Sequence, residues 1–302
     1  KGFAKPQMFL NLFISNAGLL VIAMGQTIVM IAAGIDISVG SVTALVCMVL
    51  ANQMENHGTN AYVAVVMALA IGIAFGLVQG FLIAYLDIQP FIVTLAGMFF
   101  GRGMTSIIST EMISIKNKTF LAWANYKIYL PIGSYSKRGK FIPAYIYPTV
   151  VIAIIVLIII ILVMKYTKFG RSVYAVGGNQ TSAMMMGLNV KRTKLKAYLL
   201  DGFLAGLGGF LFCLNSCSGF VEQAKGLEMD AISSAVIGGT LLSGGVGTPF
   251  GTLFGVLIKG TISSLITTQG TLSSWWVRIT LSALLCFFIV LQSIFAHVKK
   301  NK

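Results

Sequence analysis

The chain has 302 residues, of which 57% are hydrophobic and 10% are charged, with a formal net charge of +14. A soluble domain carries about 25% charged residues, so this composition excludes an ordinary soluble enzyme or binding module. The positive charge is not a nucleic-acid footprint, because the lysines and arginines lie between apolar runs, where they orient helices and meet anionic headgroups.

The apolar runs are of spanning length. A hydrocarbon core of about 30 Å needs about 20 apolar residues in a helix. Backbone polar groups must pair internally in lipid, which leaves helices or a closed barrel. Tyr147–Met164 and Trp276–Ala296 are continuous apolar stretches without the alternation of barrel strands. The fold class is therefore all-α: a polytopic membrane bundle forming a single transmembrane domain over residues 1–302. The first residue is Lys, and no cleavable signal peptide is visible. The expectation is that the natural start, and with it a first helix, lies upstream.

Nine hydrophobic segments are predicted, ten with that missing helix. The first four are Phe9–Ala33, Ser38–Ala51, Ala61–Leu86 and Phe91–Ser109. A polar stretch, Thr110–Pro143, follows, with Trp123, Tyr126 and Tyr135 suited to a membrane interface. The fifth segment is Tyr145–Tyr166, and a second polar stretch, Thr167–Lys196, precedes the sixth, Ala197–Cys217. The seventh, Asp230–Leu242, is too short to cross alone; Pro249–Thr268 and Trp275–Val298 complete the set. The two polar stretches fall on opposite sides and carry equal numbers of Lys and Arg. Lys165, with Lys299, Lys300 and Lys302 at the tail, breaks the tie. Thr167–Lys196 and the C-terminus are placed in the cytoplasm, and Thr110–Pro143 and Lys1–Met8 outside.

An internal echo joins the halves. Gly72-x-x-Phe75-Gly76-x-x-x-Gly80 is similar to Gly251-x-x-Phe254-Gly255-x-x-x-x-Gly260. Each follows an acidic, small-residue segment, Asp36-Ile-Ser-Val-Gly or Asp230-Ala-Ile-Ser-Ser. Transporters are often built from two such halves with broken helices, although glycine enrichment in membrane helices gives the same pattern by chance.

Gly34-Ile-Asp36-Ile-Ser38-Val-Gly40-Ser41 interrupts an apolar run. A carboxylate within a span costs ~2.5–3.5 kcal/mol on insertion scales, so Asp36 needs a partner or a wet cavity. Asp36 or Ser38 can cap a helix starting near Val39. A capped start at the membrane edge and a place on a substrate path both remain open. Asp230 precedes a short helix that ends in a glycine-rich loop over 238–247. That loop lacks GxxxxGK[ST], so it is not a phosphate cradle. Gly178 with Asn179 marks a turn and a cap, and Gln180–Met186 a short helix with Ala183 and Met184–Met186 exposed, suited to a partner groove. The rival reading has that helix packed on the chain's own underside.

Cys213 and Cys217, spaced i, i+4 on one helix face, have no His or carboxylate nearby and are taken with Cys47 and Cys286 as small core residues; no metal site is expected. His57 and His297 lie at span ends, and no catalytic residue is assigned.

Together, GIDISVGS, KFGRSVYAVGGNQTSAMMMGLNV and DAISSAVIGGTLLSGGVGTPFGTLFGVLIKG resemble the permease subunits of bacterial ABC importers for simple sugars, over nearly the whole chain. FIVTLAGMFFGRG and GTLSSWWVRI are most similar to the galactofuranose-type permease, one of two different permeases in a heterodimer. The resemblance implies about ten helices in the bacterial inner membrane, a second permease, an extracytoplasmic sugar-binding protein, and an ATPase that supplies ATP and Mg, since this chain needs no cofactor of its own. It also implies that Gly178, Asn179, Ala183, Met184, Gly187 and Asn189 belong to a helix coupled to the ATPase.

A sugar path needs hydroxyl partners and aromatic faces with few fixed charges. The candidates are Asn16, Gln26, Asp36, Ser38, Thr94, Phe99, Phe100, Arg102 and Asp230. At least one of Phe99 and Phe100 is expected to contact only lipid or a helix. Rival substrates are a nucleoside or a signalling furanose. An ion-coupled transporter would have only Asp36, Asp230 and Asp201, the last read as near a cytoplasmic helix start. An intramembrane enzyme lacks a His–carboxylate or Ser–Lys constellation.

Overall fold

The computed structural model describes residues 6–135, 141–269 and 275–300. Lys1, Lys137, Arg138, Lys140, residues 270–274 of the GTLSSWWVRI stretch and Lys302 lie outside them, as do the side chains of His297, Lys299 and Lys300.

Each apolar run forms a helix. In order these are α1 (Pro6–Ile31), α2 (Val39–Asn56), α3 (Ala61–Tyr85), α4 (Pro90–Ile108), α6 (Pro148–Tyr166), α9 (Val190–Ser216), α10 (Leu227–Ile237), α11 (Pro249–Gln269) and α12 (Trp275–Lys300). Three further helices fill the polar stretches: α5 (Lys118–Asn125), α7 (Lys168–Gly178) and α8 (Gln180–Met185). Among the described residues, seven helices are long and apolar enough to cross a membrane. Of the nine predicted segments, α10 falls short in length, and α2 ends in a polar turn of Asn52, Gln53, Glu55 and Asn56 that lowers its hydropathy.

The all-helical expectation omitted four short strands. β1 (Ile113–Ser114) pairs antiparallel with β4 (Ser218–Gly219). β2 (Ile128–Tyr135) pairs antiparallel with β3 (Phe141–Ile146), from Ile128 opposite Ile146 to Tyr135 opposite Phe141, with an irregularity between Tyr129 and Gly133. Tyr126 and Tyr135 are exposed, whereas Trp123 stacks edge-on against Tyr62 at 5.0 Å.

The core forms around α1 and α9. Within its most apolar window, 72% of α9 is buried, against 22% for α4 and 6% for α12. Without a hydrophobic force between helices in lipid, close packing of small residues holds the bundle together. Gly72 and Gly76 of α3 meet Gly202 and Gly206 of α9 backbone to backbone, leaving no space for a Cβ on either side. Gly18 of α1 meets Gly208 of α9 in the same way, and Gly251 of α11 meets Gly238 after α10.

The connections sort to two ends. At one, Gln7 exchanges two hydrogen bonds with the Tyr145 backbone, at 2.8 and 3.1 Å. There, Glu55 at the end of α2 accepts from the amides of Lys116 and Asn117, at 2.6 and 3.0 Å. At the other end, the Gly245 amide donates to Ile31 O at 2.8 Å and the Tyr174 hydroxyl to Gly247 O at 2.8 Å.

The cysteine reading changes in two respects. First, Cys47 and Cys213 are core residues, but Cys217 is half-buried and Cys286 is exposed on α12, where no packing helix covers it among the described residues. Second, α9 ends at Ser216, and Cys217 turns left-handed (φ 47°), so it does not share a helix face with Cys213. All four cysteines are free, and no group of metal-ligating side chains occurs among the described residues.

Candidate substrate path and coupling segment

α1 stops because its last turn closes on itself. The Ala33 amide donates to Met30 O at 2.9 Å and the Gly34 amide to Val29 O at 2.9 Å, a Schellman closure. Ala33 takes the left-handed position (φ 59°), usually glycine's, at a cost of about 1–2 kcal/mol. Gly34 has no room for a side chain, because the Tyr198 hydroxyl lies where its Cβ would go. That hydroxyl donates to Ile35 O at 3.1 Å.

Two residues later Asp36 is buried. Its Oδ1 accepts from the amide and the hydroxyl of Ser38, both at 2.6 Å. Asp36 thus satisfies the amide just before α2, while Ser38, at the cap position, makes no side-chain cap bond. Gln79 of α3 donates to Ser38 Oγ at 2.9 Å and is pressed against Gly97 of α4. Thr94 is buried on α4 and donates to Pro90 O of its own helix at 2.9 Å.

The remaining candidates lie apart. Phe99 and Phe100 are both exposed. Phe100 packs on Phe75 at 5.9 Å and lines an apolar groove of 390 Å³ between α3 and α4, which Gln79 also lines. Arg102 donates to Val221 O at 2.8 Å and Gln223 O at 2.6 Å, tying α4 to the turn after α9. Gln26 is fully buried, with both side-chain polar atoms lacking a partner among the described residues. Asn16 donates to Leu12 O at 2.8 Å and lines a 350 Å³ cavity with Lys259 and Ser263. Asp230, in the first turn of α10 rather than before it, pairs with Lys259 at 2.8 Å and lines an adjoining 540 Å³ cavity with Arg278 and Ser233. The structure therefore gathers Asp36, Ser38 and Gln79 at one place, and Asn16 and Asp230 around Lys259 at another.

Two residues escaped sequence reasoning, and a third is placed differently from the expectation. Asp201 is fully buried about three turns into α9, not near its start, and neither of its carboxyl oxygens has a hydrogen-bond partner among the described residues. Tyr198 and Gln79 complete the surroundings of the break. The signal for Gln79 was present: a lone amide between Gly76 and Gly80 in an otherwise apolar run.

The coupling segment is a chain of capped short helices. Thr167 Oγ1 accepts from the Gly170 amide at 3.1 Å, Asn179 Oδ1 from Ser182 at 2.8 Å, and Asn189 Oδ1 from Arg192 at 2.9 Å. Asn179 and Asn189 thus act as N-caps of α8 and α9. Gly187 turns left-handed (φ 81°), and Gly178 has open space around it. Met184, Met185 and Met186 are exposed, as expected. Ala183 is not: it is buried among Val176 and Val190, because a six-residue helix lying on the bundle must turn one small face inward. Gly177, next to this cluster, packs directly on the Ile31 carbonyl at the end of α1, five residues before Asp36.

Residues 8–289 match the family model described as branched-chain amino acid transport system / permease component. The chain belongs to this ABC-importer permease family. Among curated relatives, the permease is 43% identical over 292 residues to the inner membrane ABC transporter permease protein YjfF of Escherichia coli K12, covering 96% of this chain and 85% of the relative. It is 34% identical over 283 residues to the fructose import permease protein FruG of Bifidobacterium longum, covering 93% and 81%. It is also 34% identical over 273 residues to the ribose import permease protein RbsC of E. coli K12, covering 90% and 81%. No solved structure matches the permease.

Proposed function

We propose that the chain is the permease subunit of an ABC importer that moves a monosaccharide, of furanose type such as galactofuranose or ribose, into the cytoplasm. The chain is a multi-pass protein of the bacterial inner membrane. Its partners are an ATPase that binds ATP and Mg, a second permease in a heterodimer, and an extracytoplasmic sugar-binding protein. The ribose and fructose importers among its relatives support the substrate class. Asp36, Ser38, Gln79 and Thr94 add to that support, being hydroxyl, amide and carboxyl groups without a cation among them.

The observation that carries the mechanism is the contact between α7 and the end of α1. Lys165, Lys168, Arg171, Lys191, Arg192, Lys194 and Lys196 surround α7 and α8, which favours the cytoplasmic side for this end and the outside for the 110–143 stretch. The exposed Met184–Met186 are the surface an ATPase engages, and Gly178 leaves room for it to approach. Movement of α8 passes through α7 to Ile31 and so to the break at Asp36. Rigid-body switching of this kind suits closely packed glycine seams, which are bistable rather than elastic.

Reconstitution with ATPase and binding-protein partners tests the reading. Sugar must stimulate ATP hydrolysis in liposomes. Sugar uptake by this chain alone, driven by an ion gradient, would exclude it.

A further inference from the structure

The second acidic break is open where the first is closed. At the first, Asp36 and Ser38 are buried and bonded to each other, and Thr94 is bonded to its own helix. At the second, Lys259, Ser263 and Thr267 line both the 540 Å³ cavity and the 350 Å³ one. They follow one another at four-residue steps, which puts them on one face of α11. That helix starts beside Gly247, which accepts from Tyr174 at the coupling end. Lys259 stands about 15 Å along it, halfway through a hydrocarbon core of about 30 Å. Ser263 and Thr267 lead away from the coupling segment, and Arg278, in the first turn of α12, lines the larger cavity from that far half.

A charge at the depth of Lys259 is expensive, so it needs a partner and a purpose. Asp230 supplies the partner: the ammonium donates to its Oδ2 at 2.8 Å, which uses one of three donors. The pair is neutral in sum and still holds donors on one side and acceptors on the other. Ser233 adds a hydroxyl from α10. Asn16 and Thr267 spend their donors on the carbonyls of their own helices, each at 2.8 Å, and keep their oxygens as acceptors. Arg278 packs over the Trp275 ring at 5.3 Å and adds a guanidinium.

This set of groups selects its ligand by elimination. A metal cation would meet Lys259 and Arg278, and an anion would meet the Asp230 carboxylate. An apolar molecule would leave the ions and hydroxyls without partners. A neutral polyol satisfies all of them, because each of its hydroxyls both donates, to the carboxylate, and accepts, from the ammonium or guanidinium. The volume of 540 Å³ lies within the range of about 300–1,000 Å³ typical of small-molecule pockets. We propose that this cavity between α10, α11 and α12 is the site where the permease holds its sugar, with Asp230 and Lys259 gripping neighbouring hydroxyls and Arg278 and Ser233 completing the hold. The proposal rests on the importer reading above and adds the groups that touch the cargo. It divides the work between the breaks: the second binds, and the first, joined to the coupling segment, moves.

The test uses the complete complex in liposomes, offered D-ribose, D-fructose and D-galactose in turn. If none of them stimulates ATP hydrolysis by the wild type, the importer reading fails and this proposal fails with it. With a sugar that does, Asp230→Asn and Lys259→Met should each raise the KM of uptake at least tenfold and change kcat far less. A merely structural ion pair would lower the amount of folded complex and leave KM alone. A second measurement holds even where those variants fail to fold. Ser263→Cys, in a chain with Cys217→Ser and Cys286→Ser, should react with an impermeant thiol reagent from outside and be protected by the transported sugar. Tyr129→Cys, on the β2–β3 hairpin, should label equally with and without it. Wild-type uptake with an unchanged KM in both variants overturns this proposal alone, as does the absence of protection at Ser263→Cys. Protection by inorganic phosphate, or by phosphatidylglycerol in the liposomes, but not by sugar also overturns it, because the cavity would then be an anion site.

Discussion

The two acidic breaks look alike in sequence and differ in what faces them. Asp36 is enclosed and bonded to Ser38, which Gln79 of α3 holds in turn. The Asp230 side chain is 31% exposed and paired with the ammonium of Lys259 on α11, at the wall of a 540 Å³ cavity. An acidic residue at a helix break therefore takes its role from its surroundings: an enclosed acceptor for Ser38 in the first case, a partly exposed ion pair in the second. The glycine motifs that follow the breaks differ too. Gly72 and Gly76 press α3 onto the central α9, whereas Gly251 and Gly255 press α11 onto the short α10.

The largest effect should come from Gly202→Leu, which puts a side chain where α3 and α9 meet backbone to backbone. It is expected to cost about 3 kcal/mol or more and to remove most folded protein from the membrane fraction, measured by thermal unfolding in detergent. Normal folding of this variant would mean that the first break does not rest on the glycine seam.

Ala183→Glu comes next. A charge among Val176 and Val190 is expected to cost about 3 kcal/mol locally, read as faster proteolysis of the 167–189 segment. Met185→Glu, on the exposed side of α8, should leave proteolysis unchanged and weaken ATPase association. Equal behaviour of the two would mean that α8 has no inward face.

Asp36→Ala leaves the Ser38 amide and hydroxyl without their acceptor and should cost about 2 kcal/mol, whereas Asp230→Ala loses a partly exposed ion pair worth up to about 1 kcal/mol. Equal losses in thermal unfolding would erase the contrast between the breaks. The smallest effect belongs to Glu222, in the turn before α10. The hydrogen bond from Lys225, helped by the charges of Lys225 and Arg102, holds its carboxyl below the usual carboxylate range. A carboxyl held low contributes stability above its unfolded-state pKa and loses it as pH falls through the folded value. Glu222→Gln should therefore differ slightly from wild type near neutral pH and not at all in strong acid, measured as the pH dependence of unfolding.

Helix positions were legible because bilayer thickness dictates the length of apolar runs: Ala61–Leu86 was expected and Ala61–Tyr85 observed. α9 was placed seven residues late, since Asn189 caps it and its first two turns are polar. That shift hid the depth of Asp201. The β2–β3 hairpin was missed because it lies in a short, aromatic-rich polar stretch where alternation is weak. Ala183 was misplaced because six residues carry too little periodicity to tell an inward face from an outward one. The candidate path residues were legible as polar groups within spans. Which of them meet depended on the opposing helices, and sequence spacing does not encode that.

The central claim is that α8 is a lever on the cytosolic side, connected through Gly177 and Ile31 to the break at Asp36. Labelling with a membrane-impermeant thiol reagent in right-side-out membrane vesicles tests it most directly, using Met185→Cys and Tyr129→Cys in a chain with Cys286→Ser. Tyr129→Cys should label in sealed vesicles and Met185→Cys only after they are opened. Labelling of Met185→Cys in sealed vesicles would contradict the account.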